Sequence, residues 1–211
     1  MTETKLSIIA RFFLVIIYLV GLVGISVNSL RPMYVYLTPI TLLISAMILL
    51  AFHEPWNRKF LFSVLIIFLG SFLIEYLGAS TGAVFGNYEY QETLGLKLFN
   101  VPLVIGINWL LVVYSSYYIA SYLVKNKYLR LLAGGGLLLV FDLLLEPVAV
   151  KLDMWSWGGG EVPVQNYLAW FIIGIAFMSL FVVLKLKLNN KVAGYLYFIM
   201  VGFFGMLNLT L

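Results

Sequence analysis

The sequence predicts an all-α fold: a polytopic membrane helical bundle of about seven transmembrane helices, forming a single domain over residues 1–211. Hydrophobic residues make up 63% of the chain and charged residues only 10%. The mean hydropathy of +1.04 lies far above that of soluble domains. Apolar runs of roughly 20 residues, the length that crosses the hydrocarbon core of a bilayer, follow one another along the chain. These observations indicate a protein embedded in a lipid bilayer.

The predicted helices occupy, in order, 6–26, 34–52, 59–79, 101–123, 129–150, 165–184 and 192–210. The first follows Lys5 and Arg11 and resembles a signal peptide in this respect. However, its apolar run is long and no small-residue cleavage pattern follows it, so we predict a retained helix. The fifth begins near Gly134-Gly135-Gly136, which favours close helix packing by small residues. Pro147 lies inside the same helix and should loosen its backbone hydrogen bonds.

The basic residues predict the orientation of the bundle. Ten of the thirteen lysines and arginines fall on one side of the membrane: Lys5, Arg11, Arg58, Lys59, Lys125, Lys127, Arg130, Lys185, Lys187 and Lys191. Cytoplasmic loops retain Lys and Arg during insertion, so the N-terminus is predicted to be cytoplasmic. The net charge of +4 then reflects membrane anchoring, and nucleic acid is not an expected partner.

Three acidic side chains and one amide side chain stand out within the predicted helices: Glu75, Asp142, Glu146 and Asn108. A carboxylate at mid-helix depth costs about 2.5–3.5 kcal/mol on insertion scales, so these groups must face each other, water or a ligand. The directions of the predicted helices place all four in one depth band near the outer surface. We therefore expect one active site toward the outer half of the bilayer, in a multi-pass protein of the cell membrane.

Asp142 and Glu146 are four residues apart and therefore lie on one helical face. Two like charges repel there, so one carboxylate is expected to keep its proton at neutral pH and could act as a proton donor. The alternative is a structural polar network that ties helices together.

The two long outer connections, 80–100 and 151–164, are rich in glycine and aromatic residues and are predicted to cap the bundle. Tyr88, Tyr90, Trp155 and Trp157 in these caps could bind a ligand or belong to the interfacial aromatic belt, to which we assign Trp170. Each segment and its flanking residues contain, in the same order, an acid, a pair of aromatic residues, Val-Pro, an asparagine and a tryptophan. Either a duplication or chance would produce this repeated order.

Several classes of function are excluded or disfavoured. The chain has no cysteine and one histidine, His53, which we interpret as a solvated loop residue, so we predict neither a disulfide nor a metal site. It contains no Walker loop, no dinucleotide fingerprint and no common hydrolase motif. It also lacks the clustered aspartates that bind a magnesium diphosphate.

One set of motifs is more specific than the composition. It comprises the string from Glu75 to Tyr90, Leu94-Gly95, Val101-Pro102, Asn108-Trp109, Asp142, Glu146-Pro147 and Trp155-Ser156-Trp157. Over about 75–175, the chain resembles the integral-membrane carotenoid biosynthesis family, whose known members are carotenoid 1,2-hydratases. These include the hydratase of bacterioruberin synthesis in haloarchaea and hydratases of monocyclic carotenoids in bacteria.

The resemblance implies acid-catalysed addition of water to the terminal C1,C2 double bond of an acyclic carotenoid end, through a tertiary carbocation and without a cofactor. Asp142 or Glu146 would be the acid, and Glu75 would orient and deprotonate the water. The implied substrate-binding residues are Thr81, Tyr88, Tyr90, Asn108, Trp109, Trp155 and Trp157. The implied partners are a lycopene-like or monocyclic carotenoid and the bilayer. Other carotenoid biosynthesis enzymes could also be partners.

Two alternatives stay open from the sequence. The same protonation followed by internal capture of the cation would make the protein a carotenoid cyclase. The carboxylates could instead form the relay of a proton-coupled transporter. Against transport, the acids occupy only the outer half of the predicted bundle.

Overall fold

The computed structural model describes residues 5–211 and confirms the all-α bundle. Over that range the helices are α1 (Lys5–Ser26), α2 (Arg31–Tyr36), α3 (Thr38–Ala51), α4 (Arg58–Thr81), α5 (Val104–Leu123), α6 (Lys127–Lys151), α7 (Val164–Val183) and α8 (Lys191–Thr210). Among the described residues, six helices are long and apolar enough to cross a membrane, namely α1 and α4 to α8.

The predicted second span is divided into two shorter helices, α2 and α3. The break falls at Leu37, because Pro39 has no N–H with which to continue the backbone hydrogen bonds of α2. The 14 residues of α3 extend about 21 Å, which is shorter than the hydrocarbon core of a bilayer.

The centre of the bundle is α5, which packs against α3, α4, α6 and α8. In its spanning window 89% of the residues are buried, against 28% for α1 and α4. The helix α4 has two distinct faces. Leu61, Leu65, Leu69 and Leu73 are exposed along one of them, as expected for contact with lipid. The opposite face carries Glu75 into the bundle.

Close packing joins α6 to α7 at small residues, as the glycine run predicts. A Cβ atom at Gly135 would lie 2.9 Å from both Ile175 Cγ1 and Phe171 Cε2, whereas nothing lies within 4 Å of a Cβ atom at Gly136. Gly174 of α7 has the reciprocal role, because its Cβ atom would lie 2.8 Å from Leu138. Gly135 and Gly174 therefore mark a close contact between α6 and α7, whereas Gly136 does not.

We predict that Gly135→Leu lowers the free energy of unfolding by about 1–3 kcal/mol, the usual cost of overpacking. Gly136→Leu is the matched control, because it makes the same change in helix propensity at a position with open space. Thermal unfolding of the detergent-solubilised variants would measure the difference. Equal losses at the two positions would contradict this account of the α6–α7 contact.

Short strands form at the end of the bundle where α4 and α6 terminate. The strands β1 (Tyr88–Tyr90) and β4 (Trp155–Trp157) pair antiparallel, and β2 (Lys97–Leu98) pairs antiparallel with β3 (Val101–Pro102). The pairing of β1 with β4 joins the two predicted caps into one structure, the β1–β4 ribbon. Because Val101 and Pro102 are in β3, α5 begins at Val104 rather than at residue 101.

At the opposite end of the bundle, the structure corrects the interpretation of His53. Its side chain is only 1% exposed, its Nδ1 atom lies 2.7 Å from the Tyr114 hydroxyl, and its ring stacks on Phe60. Burial lowers the pKa of His53 to about 4, so the ring is neutral at pH 7. The sequence could not show that this short loop folds back against α5.

Candidate active site

The first part of the site is built around Glu75, which lies near the end of α4 and is 3% exposed. Its Oε2 atom accepts hydrogen bonds from the hydroxyls of Tyr88 at 2.6 Å and Tyr90 at 2.7 Å. Its Oε1 atom accepts a hydrogen bond from Nε1 of Trp109 at 2.8 Å. The buried carboxyl group therefore has three hydrogen-bond donors, which compensate for its removal from water.

The second part is built around Glu146, near the end of α6. Its Oε2 atom accepts hydrogen bonds from Nε1 of Trp155 and Nε1 of Trp157, both at 3.0 Å. Its Oε1 atom lies 3.2 Å from the donating Nδ2 of Asn166. An indole N–H can only donate, so Oε2 of Glu146 must act as an acceptor.

The β1–β4 ribbon brings the two parts together. Residues two apart in a strand point to the same face, so Tyr88 and Tyr90 both reach Glu75, and Trp155 and Trp157 both reach Glu146. The register pairs Tyr88 with Trp157 and Tyr90 with Trp155. The ribbon therefore presents four aromatic side chains to the two carboxyl groups.

Asp142 lies behind Glu146 and is fully buried. Its Oδ2 atom accepts a hydrogen bond at 3.0 Å from Nδ2 of Asn166, the same nitrogen that donates to Glu146. Within the described part of the chain, its Oδ1 atom is buried without a hydrogen-bond partner. The helical spacing of Asp142 and Glu146 thus gives the shared face that we predicted, and one amide bridges the two acids.

A cavity of about 20 Å³ lies between the two carboxyl groups, and this volume accommodates about one water molecule. Its lining includes two carboxyl groups and two amides, within a wall that is otherwise mostly aromatic. The lining residues are Glu75, Phe85, Tyr88, Tyr90, Ile105, Asn108, Glu146, Trp155, Trp157, Asn166 and Trp170. Asp142 is not among them.

Besides Asp142, two predicted substrate-binding residues lie outside the cavity lining. Trp109 is fully buried behind Glu75, and its ring stacks on that of Trp170 with 4.2 Å between the ring centroids. Thr81 is exposed at the end of α4, where its hydroxyl donates to the Leu77 carbonyl at 2.6 Å and accepts from the Ala83 amide at 3.1 Å. Its hydrogen bonds thus complete the end of the helix and do not reach the carboxyl groups.

Two residues of this site were not predicted from the sequence. Asn166 entered only as the asparagine of the repeated order, although its place near the start of the sixth predicted helix put it at the depth of Glu146. Trp170 was assigned to the interfacial belt, which is wrong, because it is 6% exposed and lines the cavity. No local signal distinguishes such a tryptophan from one in the belt.

The hydroxyls of the ribbon remain donors at all ordinary pH values. Burial, followed by the negative charge of Glu75, raises the pKa of Tyr88 and of Tyr90 well above the usual value for tyrosine.

Over residues 5–211, no group of three or more histidine, cysteine or acidic side chains is arranged to hold a metal ion. The side chains gathered here are suited to transferring protons beside an aromatic surface.

Comparison with known proteins provides the family. A model of the family described as "Carotenoid biosynthesis protein" matches residues 6–210. Bisanhydrobacterioruberin hydratase from Haloarcula japonica is 29% identical over 133 residues, which are 59% of this chain and 45% of that protein. The match thus spans less than half of the relative's length. No solved structure matches the chain. Because the family model extends over nearly all of the sequence, the protein belongs to the carotenoid biosynthesis protein family.

Proposed function

We propose that the protein is a carotenoid hydratase, which adds water to the terminal C1,C2 double bond of an acyclic carotenoid end. The observation that carries the proposal is the cavity, which places two buried carboxyl groups and room for about one water molecule among aromatic rings. Membership of the family supports a carotenoid substrate. The name of the relative supports hydration.

In this proposal, the proton comes from the pair formed by Asp142 and Glu146. The two acids are buried and share one amide donor, so the pair is expected to hold one proton rather than two negative charges. Glu146 delivers it, because Glu146 lines the cavity and Asp142 does not. Asp142 acts as a positioning residue that keeps the shared proton available.

Proton transfer to C2 breaks the π bond and leaves a tertiary cation at C1. The rings of Tyr88, Trp157 and Trp170 line the cavity, and the π faces of aromatic rings attract positive charge. Such preorganised stabilisation of a developing charge is the largest contribution in many enzymes. The aromatic wall would thus stabilise the short-lived cation more than the neutral substrate.

Water then completes the reaction. Asn108 and Glu75 line the cavity and would orient a water molecule whose oxygen forms the new bond to C1. Glu75 accepts the proton that this water loses, and a later proton transfer from Glu75 restores the acid pair. The carotenoid gains one hydrogen at C2 and one hydroxyl at C1, so no electrons are exchanged and no cofactor is required.

The cavity accommodates water but not an isoprenoid end group. Binding of the substrate therefore requires the surrounding side chains to move apart. The β1–β4 ribbon supplies four of them, Tyr88, Tyr90, Trp155 and Trp157. A displacement of the ribbon would open the site and would exchange contacts between aromatic rings for contacts with the substrate.

The decisive experiment is expression in a bacterium that accumulates lycopene, followed by chromatography and mass spectrometry of the extracted pigment. Hydration adds the mass of one water molecule for each modified end. An unchanged mass with an altered absorption spectrum would instead identify cyclisation. Unmodified lycopene and an unmodified monocyclic carotenoid, with the protein inserted in the membrane, would reject both reactions and favour proton-coupled transport.

A further inference from the structure

A basic pocket lies at the end of the bundle opposite the β1–β4 ribbon, where α4 begins and α7 ends. Its volume is about 490 Å³. The lining residues come from two connections: Pro55, Asn57, Arg58 and Lys59 before and at the start of α4, and Leu184, Lys185, Leu186 and Lys187 after α7. From the distribution of basic residues, this end is expected to face the cytoplasm.

The two walls of this pocket are fixed to each other. Glu54 and Asn189 exchange two backbone hydrogen bonds, at 3.3 and 3.2 Å. The side chain of Asn190 also donates a hydrogen bond of 2.6 Å to the carbonyl of Leu49. The connection before α4 is held further by the stacking of His53 on Phe60. The cationic side chains therefore project from backbone that is held in place.

The electrostatics of the pocket favour an anion. Four cationic side chains line it, and no acidic side chain of residues 5–211 does. The helix dipole adds a partial positive charge at the N-terminus of α4, and no acidic residue in its first turn offsets this charge. Like charges gathered at one place repel each other, and an anion that binds among them relieves this repulsion.

The surroundings of the pocket identify the kind of anion. Exposed apolar side chains begin within one turn of it, at Leu61 and Phe62 of α4 and at Val183 of α7, which is 73% exposed. A ligand held here would thus have its charged part among the cations and its apolar part on the surface of the helices. We propose that this pocket binds the phosphate of an anionic phospholipid, whose acyl chains lie along α4 and α7.

The test compares two pairs of lysines at the same end of the bundle. Lys185→Gln with Lys187→Gln removes two cations from the pocket. Lys125→Gln with Lys127→Gln removes two exposed cations, one from the connection between α5 and α6 and one from the first residue of α6. Binding of phosphatidylglycerol to the purified protein, measured by native mass spectrometry, is expected to weaken by roughly tenfold in the first variant. It should be nearly unchanged in the second.

Four results would overturn the proposal. Equal weakening in both variants, or equal binding of phosphatidylcholine by the unmodified protein, would overturn the proposal in favour of general surface charge. Competition by inorganic phosphate at the lipid's own concentration would also overturn it, because the acyl chains would then contribute nothing. If the first variant does not fold, Arg58→Gln with Lys59→Gln tests the opposite wall, and unaltered binding there would reject the site.

Discussion

Glu146→Gln is expected to lower the turnover of hydration by about 10²–10⁴-fold, the usual contribution of general acid catalysis. The reason is chemical, because an amide cannot donate the proton that generates the cation. The fold should survive the change. The Gln oxygen can accept from Trp155 and Trp157, and its nitrogen can donate to the Asn166 oxygen if that side-chain amide rotates by half a turn. Asp142, which then holds the proton of the former pair, can donate to the same oxygen.

Pigment analysis of the lycopene-accumulating host measures the effect. Glu161→Gln is the matched control, because it makes the same chemical change at an exposed position on the same side of the bundle. Its product yield is expected to equal that of the unmodified protein. Undiminished hydration by Glu146→Gln would remove this residue from the proposed mechanism.

Glu75→Gln is also expected to lose about 10²–10⁴-fold in hydrated product, but for a different reason. Here the acid pair still protonates the substrate, whereas no group takes the proton from the attacking water. The cation then returns to an alkene when the deprotonated acid pair takes back a proton from carbon. In D₂O, this variant should therefore release unhydrated carotenoid that carries deuterium at its end group, and Glu146→Gln should not.

The isotope separates the roles of the two residues, which loss of product alone cannot do. Glu89→Gln is the control for Glu75→Gln, since Glu89 lies between Tyr88 and Tyr90 but is exposed. Deuterium in the carotenoid from Glu146→Gln, and none in that from Glu75→Gln, would reverse the assignment. Absence of deuterium in both variants would contradict a carbocation that forms before water attacks.

The position of the site along the chain could be predicted because charge inside apolar helices is rare and costly. Glu75, Asp142 and Glu146 were found in this way, and helix direction alone gave them a common depth. Pro39 is also a local signal for the break at Leu37, although one continuous helix over 34–52 was predicted there. Each of these signals depends on residues that are near one another in the sequence.

Other features depend on contacts between distant parts of the chain. The register that pairs Tyr88 with Trp157 is set by two segments about 70 residues apart, and no pattern within either segment specifies it. In the same way, the burial of Trp170 requires Trp109 from another helix. Asp142 and Glu146 share a helical face, yet only the position of the ribbon decides which of them reaches the cavity.

The burial of α5 on nearly all sides has a consequence for biogenesis. Among the six long helices of the described chain, α5 has the lowest mean hydropathy, 1.4 against 1.7–2.6 for the others. It also contributes Asn108 and Trp109 to the site region. A segment of this kind partitions into lipid less readily than its neighbours, and its polar groups find their partners only on other helices. We therefore expect α5 to enter the membrane and pack against the rest of the protein in a single event. For this, α4 or a later helix must be available in the nascent chain to pack against α5.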